Sequence, residues 1–338
     1  MLIIDGSFGE GGGQILRTSL ALALVTGKPF RITNIRAARE KPGLRRQHLT
    51  AVQAAAAVGG ADVSGNAIGS LELTFFPRSP APGNYTFQVG TAGSTSLVLQ
   101  TVLPALLVAE RPSTIVLEGG THNPLAPPYD FLASCFFPLL RQMGANITST
   151  LERLGFFPAG GGRVVVHIEP APLTPIAILQ RGRILNHRAR AIVSKLPISI
   201  AQRELAVITE ELQWPPECLQ AEKVENSVGA GNAVMIEIQT ERTCELVTAF
   251  GRKGFAAEKV AKLASQEALA WLAHDAPVGP HLADQLLIPM ALARGGRFRT
   301  STPTTHTITN IEVVKRFVDL DIRVTSGASG TVEITVAR

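Results

Sequence analysis

The chain repeats one order of predicted elements three times, and this repeat limits the folds that it can adopt. Each copy reads as strand, loop, helix, strand, loop, helix and closing strand. The first covers residues 2–75, the second covers residues 85–168, and the third, from its first helix onward, covers residues 281–336. Such alternation predicts α/β units in which helices cover a sheet. Because equivalent loops occupy equivalent positions in repeated units, loops far apart in sequence are able to face one cleft.

Between the second and third copies the pattern changes. This segment predicts four strands and two helices, at residues 184–193, 198–212, 218–225, 233–239, 244–250 and 256–272. We therefore expect two domains: a large repeat domain made of residues 1–181 and 276–338, and a small inserted α/β domain at residues 182–275. Within the second copy, Pro138 is expected to kink the helix predicted at residues 130–143.

Cysteine use and hydropathy exclude several classes of protein. The three cysteines include no CxxC pair, which argues against a disulfide framework and against a thiolate zinc site. The longest apolar run, residues 97–109, is interrupted by polar residues and is too short to span a bilayer. Asp5 and Glu10 interrupt the first apolar residues, so no signal peptide is predicted. We expect a soluble, cytoplasmic protein.

Basic residues are concentrated in one segment. Residues 31–48 contain six Lys or Arg against Glu40 alone, a net charge of +5 that equals the charge of the whole chain. A charge run is by default a solvated face. This one opens a helix predicted at residues 44–58, and basic residues at a helix start suit phosphate groups. Few aromatic residues interleave, so little base stacking is expected.

The loop after the first predicted strand is rich in glycine. Residues 9–14 read Gly-Glu-Gly-Gly-Gly-Gln. The loop resembles a dinucleotide-binding turn, although no acidic residue follows where a ribose would need one, and no P-loop pattern occurs. Exposed N–H groups, Glu10 and Arg17 together suit a polyphosphate, with Glu10 able to hold Mg²⁺. A tight strand-to-helix turn explains the same residues equally well.

His306 is the candidate nucleophile. It lies among small hydroxyl residues, before a helix predicted at residues 311–317. A neutral imidazole is a good nucleophile near neutral pH, and neighbouring Thr and Asn side chains are able to bond its second nitrogen or to cap the helix. The simpler alternative is a polar loop residue. In the repeat, the loop of His306 is equivalent to the basic loop at residues 36–43 and to the loop at residues 119–124.

Short motifs in order along the chain resemble those of the RNA 3′-terminal phosphate cyclase family. They are Asp5-Gly6 with residues 9–17, residues 35–39 with 41–44 and 46–49, residues 119–121 with 123–124 and 126–128, residues 282–285, and Thr305-His306 with Thr309-Asn310. Each match is weak alone, and together they are specific. The resemblance implies three βαβαββ units like the C-terminal domain of bacterial translation initiation factor three, with a thioredoxin-like domain inserted before the last unit.

The resemblance also implies an activity, a ligase reaction that uses ATP. An RNA 3′-terminal phosphate would become a 2′,3′-cyclic phosphate through a covalent histidyl-AMP and an RNA adenylate. His306 would be the nucleophile and Glu10 a ligand of Mg²⁺ or Mn²⁺. Residues implied to hold the RNA end and its phosphates are Arg17, Arg36, Arg39, Arg46, Gln47 and His48. Residues implied to line the ATP site are Gln100, Asn123, Pro124, His281, Leu282, Ala283, Asp284 and Gln285.

The chain departs from the family at His281, where members often have tyrosine, although imidazole is also able to stack on adenine. His122 receives no role. Two other hypotheses remain: a non-catalytic RNA-binding relative that works in ribosome assembly, and a carboxyvinyl transferase, whose fold also uses such repeats. His306 with Asp284-Gln285 argues against the first, because such relatives lack the nucleophile. The second acts on small anionic substrates and needs no histidine nucleophile.

Overall fold

The computed structural model describes residues 1–90, 92–327 and 330–338, so Thr91 lies outside the described residues. The first four-stranded sheet has the order β1-β2-β4-β3. Its elements are β1 (Leu2–Asp5), α1 (Gly13–Thr26), β2 (Phe30–Thr33), α2 (Arg46–Gly59), β3 (Asp62–Ser64) and β4 (Leu73–Phe76). β1 and β2 are parallel, and the two remaining pairings are antiparallel.

The second sheet has the order β5-β6-β8-β7 and the same directions of pairing. It contains β5 (Asn84–Gln88), α3 (Thr95–Leu107), β6 (Ser113–Gly119), a helical segment, β7 (Asn146–Arg153) and β8 (Gly162–Glu169). The helical segment consists of α4 (Tyr129–Phe131), a π-helical turn (Leu132–Phe136) and α5 (Phe137–Gln142). Pro138 has no N–H to donate, and immediately before it the Phe137 N–H bonds the Leu132 carbonyl, so the helix widens where a kink was predicted.

After β9 (Ala177–Ile178) the chain forms a separate α/β unit. It contains β10 (Ile184–Ser194), α6 (Ser199–Leu212), a short 3₁₀ turn (Pro216–Cys218), β11 (Leu219–Lys223), β12 (Gly231–Thr240), β13 (Cys244–Phe250) and α7 (Ala257–Leu272). The chain then returns to the sheet of β9 through α8 (Pro280–Leu292), β14 (Gly296–Thr300), α9 (Thr305–Phe317), β15 (Asp321–Ser326) and β16 (Val332–Ala337). That sheet has the order β15-β16-β14-β9. Its first two strands along the chain, β9 and β14, are parallel, as are the first two strands of each of the sheets described above.

The sequence predicted one closing strand in each of the first two copies, and this was wrong. Each copy closes with an antiparallel pair, β3 with β4 and β7 with β8. β3 has only three residues, all at least partly exposed, so it has no apolar alternation that a pattern search could detect. The mixed parallel and antiparallel sheets with their helices confirm the predicted α/β class.

The helices of the three sheets pack on one another in a single hydrophobic core. α1 packs against α2, α3 and α9, and α8 packs against α3 and α9. The Phe30 ring lies between Phe75 and Phe317, with centroid distances of 5.8 Å and 5.9 Å, and so joins the first sheet to α9. None of the described helices is both long and apolar enough to cross a membrane.

The inserted unit has a second core between its sheet and the helices α6 and α7. The other face of its sheet contributes Ile192, Ala233, Met235 and Leu246 to the large core. The sheet of the inserted unit therefore contributes one face to each core, and the inserted unit packs against the rest of the protein.

Adjacent phenylalanines on β4 provide a test of the large core. Phe75 is fully buried and Phe76 is half exposed. We expect Phe75→Ala to lower the free energy of unfolding by about 3 to 5 kcal/mol, because it removes a ring and leaves a cavity. Phe76→Ala is the matched control, with an expected change of about 0.5 kcal/mol. Urea titration followed by circular dichroism measures both, and equal losses would contradict this packing.

A buried carboxyl group on α6 predicts a pH dependence. Burial raises the pKa of Glu204 to about 7; Oε2 accepts a 2.8 Å hydrogen bond from Asn232 Nδ2, and Oε1 has no partner among the described residues. Because the folded pKa lies above the unfolded one, stability from this group is present at low pH and is lost as pH rises through about 7. Glu204→Gln should therefore gain stability relative to wild type between pH 5 and 8, as read from melting temperatures. A constant difference across that range would be the contrary result.

Candidate active site

One cavity of about 760 Å³ lies where the helices α1, α2, α3, α8 and α9 approach β13 of the inserted unit. Its two ends differ in chemistry. The charged end is lined by Glu10, Gln14, Arg17, Arg36, Arg39, His48, Asp284 and His306. The apolar end is lined by Leu103, Pro104, Leu107, Leu125, Ala126, Pro127, Pro128, Phe131, Phe136, Leu246, Phe250, Ile288, Pro289 and Leu292. A ligand that fits both ends carries negative charge on one side and an apolar group on the other.

His306 faces this cavity from the first turn of α9. The sequence placed it in a loop before a helix at residues 311–317, whereas the helix begins at Thr305. Thr304 is the N-cap, and its Oγ1 accepts a 3.1 Å hydrogen bond from the Thr307 N–H. This cap starts the helix early and places the exposed imidazole at the positive end of the helix dipole, which favours anions.

A hydrogen bond to Gln14 determines which ring nitrogen of His306 carries the proton. Gln14 Nε2 donates a 2.7 Å hydrogen bond to Asp284 Oδ2, so its Oε1 faces the imidazole and accepts from His306 Nδ1 at 2.6 Å. An amide oxygen only accepts, so Nδ1 carries the proton. In the neutral ring Nε2 is then unprotonated and has a free lone pair. The partner of the second nitrogen is thus Gln14 from α1, rather than a neighbouring Thr or Asn.

Hydrogen bonds close to Gln14 and His306 also connect the helices α1, α8 and α9. Thr18 Oγ1 on α1 donates to Asn310 Oδ1 at 2.7 Å, and Asn310 Nδ2 donates to the Asp284 carbonyl at 2.7 Å. Burial raises the pKa of Asp284 to about 6, while the charges of His306 and His281 act in the opposite direction. The Asp284 carboxyl is therefore ionised at neutral pH and is able to accept from Gln14.

Arg17 and His48 form an anion-binding corner at the charged end. Arg17 has no hydrogen-bond or ion-pair partner among the described residues, and burial lowers its pKa to about 10, so it remains charged. Burial and nearby arginines lower the pKa of His48 to about 3, which keeps the ring neutral. Because His48 Nδ1 accepts from the Arg45 N–H at 3.4 Å, Nε2 carries the proton. A Cβ on Gly13 would collide with both side chains, so glycine is needed here.

The basic loop adds two more arginines. Arg36 Nη1 donates to the carbonyls of Lys41 and Gly43 at 2.7 and 2.8 Å, which holds the loop in a compact turn. Arg39 forms an ion pair with Glu10. Arg17, Arg36, Arg39 and His48 therefore line the same cavity as His306. Such donors suit phosphate oxygens.

Glu10 offers limited capacity for a metal ion. Its Oε2 contacts Arg39, and its Oε1 accepts from the Gln14 N–H at 3.3 Å. No group of three or more His, Cys, Asp or Glu side chains within the described ranges is arranged to hold a metal. Mg²⁺ in nucleotide sites is commonly held by one or two carboxylates together with phosphates. Glu10 would fit such an ion only as a single protein ligand, with oxygens of a bound phosphate completing its coordination.

The residues expected at the ATP site are only partly brought together. Gln100 Nε2 donates to Gln285 Oε1 at 2.6 Å, and Gln285 Nε2 donates to the His281 carbonyl at 2.9 Å. His281 lines the cavity with an exposed ring, and the hydrogen bond that its Nε2 donates to Glu267 raises its pKa. Pro124 also lines the cavity.

Four predicted site residues do not line the cavity. Leu282 and Ala283 are buried in the hydrophobic core, on the other side of α8. Asn123 is buried and donates its side-chain N–H to the Ala92 carbonyl. Arg46 is exposed at the start of α2. Gln47, by contrast, lines the cavity and accepts from the Ser94 N–H at 3.3 Å.

Sequence reasoning missed Gln14, Asn310 and the cavity wall from β13. Gln14 and Asn310 both stood within matched motifs, and the signal was their position about one helical turn from Arg17 and His306. For Leu246 and Phe250 no signal existed, because they belong to a strand whose distance from the cavity depends on how the inserted unit docks.

The chain matches the family described as RNA 3′-terminal phosphate cyclase over residues 8–324. It is similar to proteins of that name from three bacteria. Identity is 52% with the protein of Koribacter versatilis (96% of this chain and 92% of that protein), and 47% with that of Ectopseudomonas mendocina (94% and 93%). Identity is 45% with that of Salmonella paratyphi C (100% and 98%). The match over nearly the whole chain confirms the resemblance seen in the motifs, and the chain belongs to the RNA 3′-terminal phosphate cyclase family.

Proposed function

We propose that this protein uses ATP to convert an RNA 3′-terminal phosphate into a 2′,3′-cyclic phosphate. The observation that carries the proposal is the position of His306 Nε2, which has a free lone pair in the cavity between an apolar end and an anion-binding corner. The apolar end suits the adenine of ATP, and the corner of Arg17, Arg36, Arg39 and His48 suits the terminal phosphate of RNA.

In the first step, His306 Nε2 attacks the α-phosphorus of ATP. A nitrogen–phosphorus bond forms, the bond between the α-phosphorus and its bridging oxygen breaks, and pyrophosphate leaves. The ring becomes positively charged, and Nδ1 keeps its proton, which remains hydrogen-bonded to the oxygen of Gln14, whose amide is polarised by the Asp284 carboxylate. The N-terminus of α9 adds a positive potential where the phosphoryl charge develops.

In the second step, an oxygen of the RNA 3′-phosphate attacks the same phosphorus, and the bond to His306 breaks. In the third step, the neighbouring 2′-hydroxyl gives its proton to water and attacks the activated 3′-phosphorus, and AMP leaves with the bonding electrons. Activation is needed because a phosphate monoester has no good leaving group. Arg17, the two arginines of the basic loop and the Nε2–H of His48 neutralise and orient the phosphates, which supplies much of the catalysis of such a transfer.

A divalent ion has a place in this scheme. Glu10, with phosphate oxygens, would hold Mg²⁺ or Mn²⁺, and such an ion would neutralise the charge of the phosphates.

The proposal extends to the architecture. The common strand order of three sheets supports three βαβαββ units like the C-terminal domain of bacterial translation initiation factor three, formed by residues 1–181 and 276–338. The separate core of the inserted unit supports a small domain at residues 182–275, which we propose to be thioredoxin-like.

The nucleophile is tested by covalent labelling. We expect wild-type protein mixed with α-labelled ATP and Mg²⁺ to release pyrophosphate and to carry one AMP on the peptide that contains His306, as measured by mass spectrometry. His306→Ala should carry none. His48→Ala is the matched control, because it alters the RNA corner and should still be adenylated while losing cyclisation. Undiminished labelling of His306→Ala would refute the proposal, and no labelling of wild type would favour a non-catalytic RNA-binding role.

The hydrogen bond from His306 to Gln14 predicts a second effect. Without the amide oxygen, the ring loses the contact that keeps its proton on Nδ1 and its lone pair on Nε2. We expect Gln14→Ala to slow adenylation at saturating ATP, without RNA, by about 10- to 100-fold, the range seen when a group that orients a metal-binding imidazole is removed. Gln47→Ala, which removes a cavity amide that does not contact His306, should adenylate normally. Equal rates for the two variants would contradict the role of Gln14.

A further inference from the structure

Two walls of the apolar end come from different parts of the fold. One wall is the segment from Pro124 to Phe136, which includes the loop before α4 and the π-helical turn. The adjoining wall is β13 of the inserted unit, through Leu246, Thr248 and Phe250, and this strand packs against α4 and the π-helical turn. The width of this end therefore depends on how the inserted unit is docked, and not only on the local shape of either wall.

A chain of polar contacts joins these two parts. Asp130, in the first turn of the helical segment, bonds His122 through Oδ2 at 2.8 Å and Arg190 through Oδ1 at 3.0 Å. Arg190 lies on β10 of the inserted unit, and its other nitrogen bonds Glu222 on β11 at 2.9 Å. We call the contact of Asp130 with Arg190 the interdomain ion pair.

The interdomain ion pair is held more rigidly than a surface pair. The side chains of Asp130 and Arg190 are 17% and 22% exposed, and that of His122 is fully buried. His122 Nδ1 contacts Thr121 Oγ1 at 2.9 Å, and that oxygen also accepts from the Gly155 N–H at 2.9 Å. His122 therefore holds Asp130 in place, and Glu222 holds Arg190 in place within the inserted unit. This reduces the side-chain entropy lost when the interdomain ion pair forms.

The charge of the Asp130 carboxyl also favours a stable contact with Arg190. Burial alone would raise the pKa of Asp130, but the hydrogen bond and charge of His122 and the charge of Arg190 bring it below its ordinary value. The carboxylate therefore stays ionised at neutral pH. Ser134, on the same helical segment, adds a 3.1 Å hydrogen bond to Glu237 on β12, so this segment is attached to the inserted unit at two points.

We propose that the interdomain ion pair positions the two walls of the apolar end and thereby sets the affinity for the nucleobase part of the nucleotide. Asp130 and Arg190 are positioning residues, because neither lines the cavity. The inference rests on the proposed function, in which that end holds the adenine. Loosening the pair widens the apolar end and weakens nucleotide binding, while the charged end, built from α1, α2 and α9, keeps its geometry.

The test compares Arg190→Met with Arg203→Met. Arg203 forms a two-point ion pair with Glu258 at 2.7 and 2.9 Å inside the inserted unit, so its loss does not affect the joint. The ligand is α,β-methylene-ATP, which cannot transfer AMP, and its dissociation constant is measured by calorimetry. We expect Arg190→Met to raise that constant about fivefold or more, and Arg203→Met to leave it unchanged. The affinity for a 3′-phosphorylated oligoribonucleotide should change in neither variant.

Asp130→Asn is a second route to the same result, because asparagine still accepts from His122 but loses the charge that Arg190 needs. The two substitutions should not be additive in the double variant. Unchanged nucleotide affinity in Arg190→Met and Asp130→Asn would overturn the proposal, as would equal weakening by Arg203→Met or a fall in kcat with KM for ATP unaltered. Adenylate formation by the wild type is read separately, so failure of the proposed function would be recognised on its own.

Discussion

The hydrogen bonds from Asp284 through Gln14 to His306 are the interaction on which the candidate site depends. They join α8, α1 and α9, and their partners lie 270 and 292 residues apart in sequence. Each bond by itself contributes about 1 kcal/mol to stability. Their main consequence is chemical, because they decide which nitrogen of His306 carries a proton and which has a free lone pair.

The charged end has an electrostatic cost that a bound anion would remove. Arg17 is partly buried and has no hydrogen-bond or ion-pair partner in the described part of the chain, and His48 is held neutral by burial and by the surrounding arginines. Gathering these groups at the start of two helices is unfavourable in the empty protein. In the proposed function, phosphate oxygens offset that cost, so the groups that weaken the folded state would increase its affinity for phosphates.

The inserted unit takes part in the site without contributing to its charged end. Its strand β13 supplies apolar wall, and its sheet shares residues with the large core. The charged end and the apolar end of the cavity are therefore built by different parts of the fold. In the proposed function, the helices of the large unit orient the reacting groups, whereas the contact between units shapes the pocket for the apolar part of the ligand.

The sequence by itself determined most of the helices, the α/β class and the charged residues of the site. Gly27 and Gly60 end α1 and α2 because only glycine adopts their left-handed backbone conformation without strain, and apolar periodicity located the helices between such stops. The basic segment and the motifs around Glu10 and His306 were visible because chemistry of that kind needs particular residue types close together in the chain.

Only the tertiary structure decided which of these residues meet. Leu282 and Asp284 are two residues apart on α8, yet one faces the core and the other faces Gln14, since neighbours on a helix point in different directions. The strand β3, the π-helical turn and the contact of Asp130 with Arg190 left no local pattern. Such features arise from long-range packing, whose free energy depends on how distant segments dock and is not encoded in any short stretch of sequence.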